Sequence, residues 1–518
     1  MEPLILCIDC GTQSMRAMLF NKAGDMEAVE KVSFEPYFSV SPGFAEQEAD
    51  VYYSALCTAV KRLKEKNAER FAHIAAVTVA TQRDTLVLLD SAYKPVRPCI
   101  LWLDQREADV RLENYFSPAE IAAYTLVGMR KTSEHVMRRS RAYWVQKNEP
   151  EVWAKTHKAV MLSCYLNFRL TGKLSDTYAA QIGHVPFDVK SSDWHKNAKN
   201  IGYRQFGLTK EQMPELVRPG GRLGSISYEA AEETGAAEGL PVIAAASDKG
   251  CETLGNGCLS EDVASVSFGT TATVETTTDK YVELLRFIPP YPSAVEGFYN
   301  PEYEVFRGYW LISWFKKEFA AHEMAEAART GESVETLLNR RLESVPVGSD
   351  GLMLQPYWTP ELKMEDARGA IIGFNAAHTR IHIYRAIIEG INYAIMDGIE
   401  RMERCTKTRI NRVVVAGGGS QSAEILKITA DMLGVPVTRV QTHETTGLGA
   451  AILGFYGLGE FTSVREAVSR MVRVRDVFTP DLKNSRTYRR LYNEVYKGMF
   501  PALKSLYKTG NRILEEQP

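Results

Sequence analysis

Two segments of this 518-residue chain share one local device: an apolar extended run, a Gly-Thr turn and a second extended run. The first spans residues 4–20 with Gly11-Thr12 at its turn, and the second spans residues 263–274 with Gly269-Thr270. Glycine opens backbone conformations closed to other residues and leaves amides unshielded, while neighbouring hydroxyls add donors aimed at the same point. Gly11, Thr12, Gln13 and Ser14 on one side, and Gly269 and Thr270 on the other, therefore have the make-up of phosphate cradles. Tight hairpins also hold Gly and Thr without binding anything. What favours the phosphate reading is the joint presence of two such turns with Asp9 just before the first and Arg16 just after it. Asp9 can hold a hydrated Mg²⁺ that bridges β and γ phosphates, because Mg²⁺ keeps most of its waters and needs few protein carboxylates. Arg16 then offsets charge on the transferring group.

A second set suits an alcohol acceptor. Asp248 ends the apolar run that begins at Gly239, and an aspartate at the tip of a buried strand can orient a hydroxyl and collect its proton. With an ordinary pKa of about 3.9 it is a weak base. In a loose phosphoryl-transfer transition state the proton leaves late, so weakness is tolerable. Capping the helix that follows is the other role open to it. Arg83, Asp84, Trp102, Asp104 and Arg106 offer forked donors, acceptors and an apolar plate for a polyhydroxylated ligand; a surface ion-pair cluster beside a core tryptophan is the alternative. The glycine turn Gly417-Gly418-Gly419-Ser420 follows the apolar run Val413–Ala416 and precedes a helical pattern over 423–433, which places Gly418, Gly419 and Ser420 at a nucleotide. A dinucleotide-binding dehydrogenase is the rival reading of this turn, but Val440-Gln441-Thr442 offers no ribose-binding acid after the next strand.

These residues need a scaffold. A chain that is 45% hydrophobic can bury a large interior, and at this length more than one domain is expected. The pattern predicts a buried hairpin over 4–20, a strand near 74–80, helical spacing from Ser117 to Thr171 with Val160 among its buried members, and a strand over 241–247. It also predicts a helix from about Ile381 through Met402, a strand over 435–440, a small-residue helix around Gly447–Leu453, and an amphipathic helix carrying Tyr488, Leu491, Tyr492, Val495 and Tyr496. A net charge of -2 without a basic stripe argues against nucleic acid as a partner. Eight cysteines at irregular spacing read as reduced core thiols, and Cys7-x-x-Cys10 falls inside a strand rather than in a redox motif. No apolar stretch approaches bilayer length and no leader pattern opens the chain, so neither membrane nor export is expected and a cytoplasmic location follows.

Together these motifs resemble the FGGY family of carbohydrate kinases, of the glycerol kinase and xylulokinase type, within the actin and hexokinase-like ATPases. The resemblance runs through Asp9–Arg16, Gly43-Phe44-Ala45-Glu46-Gln47, Gln82-Arg83-Asp84-Thr85, Trp102/Asp104/Arg106, Gly417–Ser420, Ala430–Val437 and Glu444 before Gly449-Ala450-Ala451. It implies an α/β fold of two duplicated RNase H-like domains, each a mixed five-stranded sheet flanked by helices, with an interdomain cleft. The expected divisions are 1–246, 247–478 and a docking helix over 479–518. It implies ATP and Mg²⁺, a small carbohydrate substrate (ketose, polyol or sugar acid), Asp248 as general base, Gly308 among the nucleotide contacts, and a homodimer. The chain departs from pattern at Lys249, where the family carries Gln or Asn; a cation there points to a substrate with a carboxylate or extra hydroxyls. Asp84 is one methylene shorter than the acid of the glycerol kinase Arg-Glu pair. The rival readings are a sugar-sensing regulator of the same fold that has lost catalysis, and the dehydrogenase.

Overall fold

A computed structural model describes residues 2–359 and 364–516, and the chain forms two compact units. The first comprises residues up to Gly257 together with Asp279–Asn300 and Thr445–Val472; the second comprises Cys258–Thr278, Pro301–Glu444 and the chain from Arg473 onward. The chain thus re-enters the first unit twice, unlike the contiguous division at 246 expected from sequence.

The first unit is built on a six-stranded sheet: β1 (Leu4–Cys10), β2 (Ser14–Phe20), β3 (Met26–Ser33), β4 (Ile74–Thr81), β5 (Arg222–Ser225) and β6 (Pro241–Ser247), in the order β5-β6-β4-β1-β2-β3. β1 is antiparallel to β2, with Asp9 opposite Arg16, and parallel to β4. Every residue of β1 is buried, as the apolar run over residues 4–8 requires of a strand covered on both faces. β3, at the edge, alternates partly buried and exposed positions. Helix α1 (Ala49–Lys66) covers β2 and β3 with Tyr52, Leu56, Val60 and Leu63, spaced along one face at helical intervals. A smaller four-stranded sheet joins Glu46–Gln47, Cys99–Ile100, Leu86–Leu89 and Lys158–Met161. Its last strand corrects the helical reading of 117–171. That stretch is four short helices, then the strand Lys158–Met161, then the helix Leu162–Thr171, and Val160 is buried as a strand residue. Three or four consecutive apolar residues fit either period, and pairing of Val160 with Val87 decides for the strand.

Two helices of the first unit control where Asp248 sits. Helix α2 (Asp248–Gly255) starts directly after β6, and helix α3 (Thr445–Gly457) lies against it and against β1, β4 and β6. The approach is possible only because glycine lines it. A Cβ added to Gly449 would fall 1.9 Å from the Cys251 carbonyl oxygen, one on Gly255 would fall 2.0 Å from the Thr445 carbonyl oxygen, and one on Gly454 would meet Ile5 at 2.8 Å.

The second unit repeats the plan: β7 (Val263–Phe268), β8 (Ala272–Glu275), β9 (Glu302–Val305), β10 (Arg412–Ala416), β11 (Val437–Val440) and β12 (Val474–Phe478), in the order β9-β8-β7-β10-β11-β12. In both units a hairpin pairs antiparallel and the next two strands add in parallel, the duplication expected of this fold class. Each sheet has six strands where five were expected, because an antiparallel strand, β5 or β12, closes the edge beyond the shared five. The long helix Arg380–Thr406 packs on this sheet, and its Glu389 accepts from Tyr488 and pairs with Arg385. That contact docks the C-terminal helix, where Tyr488, Tyr492 and Tyr496 are buried at intervals of four while Val495 is exposed.

Gly449→Ala is expected to lower unfolding free energy by about 2–3 kcal/mol, since overpacked cores must shift backbone. Gly498→Ala, with nothing within 4 Å of its added carbon, is expected to stabilise by about 0.5–1 kcal/mol. Chemical denaturation of both variants checks the contrast.

Candidate active site

The first unit assembles its polar residues at the carboxyl ends of β1, β4 and β6. β1 ends in Asp9-Cys10, and the Gln82 amide donates to the Cys10 carbonyl at 2.8 Å, carrying β4 on beside the first turn. The Trp102 indole Nε1 donates to Thr12 Oγ1 at 3.0 Å, Thr12 donates to Gln82 Oε1 at 2.7 Å, and Gln82 Nε2 donates to the Tyr52 hydroxyl at 3.1 Å. This chain of bonds fixes the indole plate over the first turn. It also uses the Thr12 hydroxyl proton, so Thr12 can donate to a ligand only from its main chain. The Gly11 amide is likewise committed, closing the turn on the Ser14 carbonyl at 3.0 Å. Gly11 has no left-handed φ, and an added Cβ would make only an ordinary 3.6 Å contact. Glycine at 11 therefore contributes a bare surface, and the exposed Gln13 and the partly buried Thr12 carry the outer edge of the turn.

Asp9 is buried, and Arg16 Nη1 donates to its Oδ2 at 3.1 Å. No group of three or more His, Cys, Asp or Glu that could hold a metal exists among the described residues. A single carboxylate such as Asp9 is enough for a cation like Mg²⁺, which keeps most of its waters and takes phosphate ligands.

Asp248 is the first residue of α2, but the cap is Ser247, whose Oγ accepts from the Gly250 amide at 3.1 Å. The helix thus does not need Asp248 as its cap. Asp248 Oδ1 accepts from the Lys249 amide at 2.8 Å, and Thr446 Oγ1 donates to the Asp248 carbonyl from α3 at 3.4 Å. Burial raises the Asp248 pKa from its ordinary value, with Glu252 adding to the rise and Arg83, Lys249 and the Lys249 amide opposing it.

Asp84 stands in a left-handed conformation at φ 50°, and its two oxygens accept the fork of Arg141, at 2.9 and 2.8 Å. The His184 amide also donates to Oδ1, at 3.1 Å, and His184 Nδ1 lies 3.1 Å from Oδ2. Burial pushes the Asp84 pKa up, but Arg141 and His184 outweigh it and hold the carboxyl at about 2. Gly183, at φ 120°, must be glycine, because a Cβ would fall 2.0 Å from Asp84 Oδ1. Arg83 lies 4.7 Å over the Tyr291 ring.

Asp104 takes a different place from the one expected. Its carboxyl is sealed off, 1% exposed against 17% for Asp84, and both oxygens are consumed inside the protein: Oδ1 by the Arg106 amide and Nε, and Oδ2 by Arg106 Nη2 and the Ala45 amide. Arg106 also pairs with Glu46 at 2.7 Å and lies 4.1 Å over Phe44. Asp104 and Arg106 therefore brace the loop that presents Trp102. Sequence reading missed Arg141, His184, Gly183, Tyr291 and Glu252. The contacts of the first four span dozens of residues or more, and only the Gly183-His184 pair carries a local signal, a glycine beside a titratable ring.

In the second unit the glycine turn sits against the second hairpin. Ser267 pairs with Ala416 in register, so Gly417 follows at the carboxyl end of β10 beside Phe268. Gly417 has φ 79°, and a Cβ there would come 2.9 Å from the Phe268 carbonyl oxygen. Ser420 Oγ donates to the Gly417 carbonyl at 2.7 Å and closes a short 3₁₀ turn, after which the helix Ala423–Leu433 begins. A dinucleotide fingerprint runs straight into its helix; this turn does not. The Gly269 carbonyl accepts from Tyr309 at 2.9 Å, and Gly308 packs so closely that a Cβ would lie 2.3 Å from the Ala272 amide nitrogen. A Cβ on Gly419 would strike the Tyr309 ring at 2.3 Å, whereas Gly418 has nothing within 4 Å. Gly269, Gly308, Gly419 and Ser420 are thus brought into one neighbourhood, with Thr270 exposed at its edge.

The N-terminal domain of the FGGY family of carbohydrate kinases matches residues 4–255, and the C-terminal domain of that family matches residues 264–458. A xylulose kinase of Lactococcus lactis is 26% identical over 512 residues, covering 95% of this chain and 96% of its own. A gluconokinase of Bacillus subtilis is 25% identical over 506 residues, covering 95% and 94%. Among solved structures, the ligand-bound xylulose kinase of Lactobacillus acidophilus superposes with a TM-score of 0.81 at 21% identity, over 98% of this chain and 99% of that one. The glycerol kinase of Plasmodium falciparum with ADP gives a TM-score of 0.75 at 17% identity, over 96% and 98%. These two likenesses show a shared fold.

Gly418→Ala is expected to leave the unfolding midpoint nearly unchanged while weakening nucleotide binding about tenfold or more, because its methyl enters open space at the turn. Gly419→Ala is expected to lower the midpoint, because Tyr309 blocks it. Thermal melts paired with calorimetric ATP titration separate the two.

Proposed function

The chain belongs to the FGGY family of carbohydrate kinases, and from that premise we propose that it transfers the γ-phosphate of ATP to a hydroxyl of a ketose, polyol or sugar acid, with Asp248 as general base. The observation that carries this reading is the placement of Asp248: first in its helix yet relieved of capping by Ser247, and raised in pKa by burial while Arg83 and Lys249 act on it. A carboxylate whose pKa is raised in this way is a better proton acceptor than an aqueous one. It holds the acceptor hydroxyl on line and takes its proton as the phosphoryl group arrives.

The acceptor's other hydroxyls meet Arg83, Asp84 and the Trp102 face. Asp84 is positioned for this by Arg141 and His184, so a buried fork holds it still while its charge persists across the physiological range. In the first unit the main chain of Thr12 and Gln13 and the Arg16 side chain are the candidate phosphate contacts; the second unit has its own candidate nucleotide turn in Gly269, Thr270, Gly308, Gly418, Gly419 and Ser420. Mg²⁺ would be held from Asp9, where it would neutralise charge on the phosphates. Names of relatives, xylulose kinase and gluconokinase, support an acceptor of sugar size in either neutral or acidic form.

A coupled assay for ADP release over a panel of ketoses, polyols and sugar acids identifies the acceptor. With the best acceptor, Asp248→Ala is expected to lower kcat by about 10³-fold, the range of a lost general base, with ATP affinity retained. Loss of ATP binding and turnover together would instead assign Asp248 a purely structural role.

A further inference from the structure

The ring of His184 stands in the first unit between two groups that make opposite demands on it. Its Nδ1 lies 2.6 Å from Arg141 Nη1 and 3.1 Å from Asp84 Oδ2. A guanidinium has only hydrogens to give, so the shorter contact requires a lone pair on Nδ1. The donor count closes on that choice. One Nη1 hydrogen goes to Asp84 Oδ1 at 2.9 Å and the other to His184, while Nη2 serves Asp84 Oδ2 at 2.8 Å and the Leu101 carbonyl at 3.1 Å. A hydrogen on Nδ1 aimed at Asp84 would instead face the Arg141 hydrogen across the 2.6 Å contact. Once Nδ1 accepts, the ring proton belongs on Nε2, because the bond made by one ring nitrogen sets the state of the other. Asp84 does not need the ring as a donor, since the Arg141 fork and the His184 amide already supply its carboxylate.

The proton on Nε2 is the outward one. The His184 side chain is 26% exposed while that of Arg141, against Nδ1, is 4% exposed, so the open part of the ring is the edge that carries Nε2. Among the described residues Nε2 has no hydrogen-bond partner. Phe206 meets the ring edge-on at 6.5 Å between centroids, which helps fix its plane before any ligand arrives. Through Arg141 the cluster is tied to Leu101, directly before Trp102. We propose that His184 is a substrate-binding residue whose Nε2–H donates to an oxygen of the polyhydroxylated acceptor, next to the hydroxyl from which Asp84 accepts. The inference rests on the kinase reading above and deepens it by adding an oriented donor to Arg83, Asp84 and Trp102.

Nitrogen NMR of the full chain carrying isotope-labelled histidine reads the tautomer, with the His184 signals identified by their absence from His184→Asn. A protonated Nε2 and a bare Nδ1 are expected at neutral pH, with the Nε2 signal moving on titration with D-xylulose, xylitol, glycerol or D-gluconate. In parallel, kcat and KM for these acceptors are measured with ATP and Mg²⁺ on wild type, His184→Asn and His184→Gln. The Asn oxygen can take the Arg141 hydrogen but its side chain falls short of the Nε2 position, which the Gln amide nitrogen reaches. His184→Asn is expected to raise the acceptor KM about tenfold with little change in kcat, the effect of losing one hydrogen bond made equally in ground and transition states. His184→Gln is expected to recover most of that loss. A residue that serves only to hold Arg141 and Asp84 would give the reverse order, with Gln the worse variant; that order, or a proton on Nδ1, overturns the proposal. Should His184→Asn fail to fold, His184→Gln supplies the assignment, and the tautomer with the Nε2 shift decides. Wild type that binds ATP yet phosphorylates none of the acceptors overturns the kinase reading; the role of His184 then stands on an Nε2 shift with at least one of them and falls without it.

Discussion

The first unit depends on a backbone-to-backbone contact between two helices. Gly449 and Gly255 let Thr445–Gly457 press against Asp248–Gly255 until carbonyl oxygens occupy the space where side chains would begin. The same glycine-lined helix rests on Ile5 through Gly454 and near Met18 through Gly447. One helix thus keys together the strand that carries Asp9, its hairpin partner, and the helix that carries Asp248. Thr446 adds a hydrogen bond to the carbonyl of Asp248, the residue proposed as general base. Small errors in such placement are expensive in a reaction that relies on alignment more than on covalent chemistry.

Charge pairing sets the rest of the site. Asp84 is fixed by a guanidinium fork, Asp9 by Arg16, and Lys249 by Glu252, while the Asp104 carboxyl is absorbed by Arg106 and the Ala45 amide in bracing the Trp102 loop. Of the carboxylates in the first unit's site, Asp84 and Asp248 show opposite shifts. A close fork lowers Asp84 to about 2, whereas burial without such a fork raises Asp248. Under the proposed mechanism, this divergence separates a group that stays charged from one that accepts a proton.

Much of this was legible in the sequence. The hairpins at Gly11 and Gly269, the strand ending on Asp248, the turn at Gly417 and the small-residue helix after Thr445 are local patterns, and local patterns survive reading one residue at a time. Length misled at Ser117–Thr171, where a four-residue strand hid between helices of similar composition. Glycine was over-read at Gly11, which needs no special backbone, and rightly read at Gly417, which does. Asp104 was assigned by type, and only the fold shows its oxygens already taken. Arg141 and His184 could not be found, because their link to Asp84 bridges 57 and 100 residues. The re-entry of 445–472 into the first unit was equally hidden, since hydrophobic period reports that a helix is buried but not by what.

The central claim is that packing holds a half-buried Asp248 as the general base we propose, and the pH dependence of kcat/KM for ATP-dependent phosphorylation tests it most directly. A base with a raised pKa is charged above that value and loses activity as pH falls through it. The account predicts an acid limb above the ordinary aspartate value of about 3.9, absent from the residual activity of Asp248→Asn. A profile flat down to that value, or a limb that persists in Asp248→Asn, would contradict it.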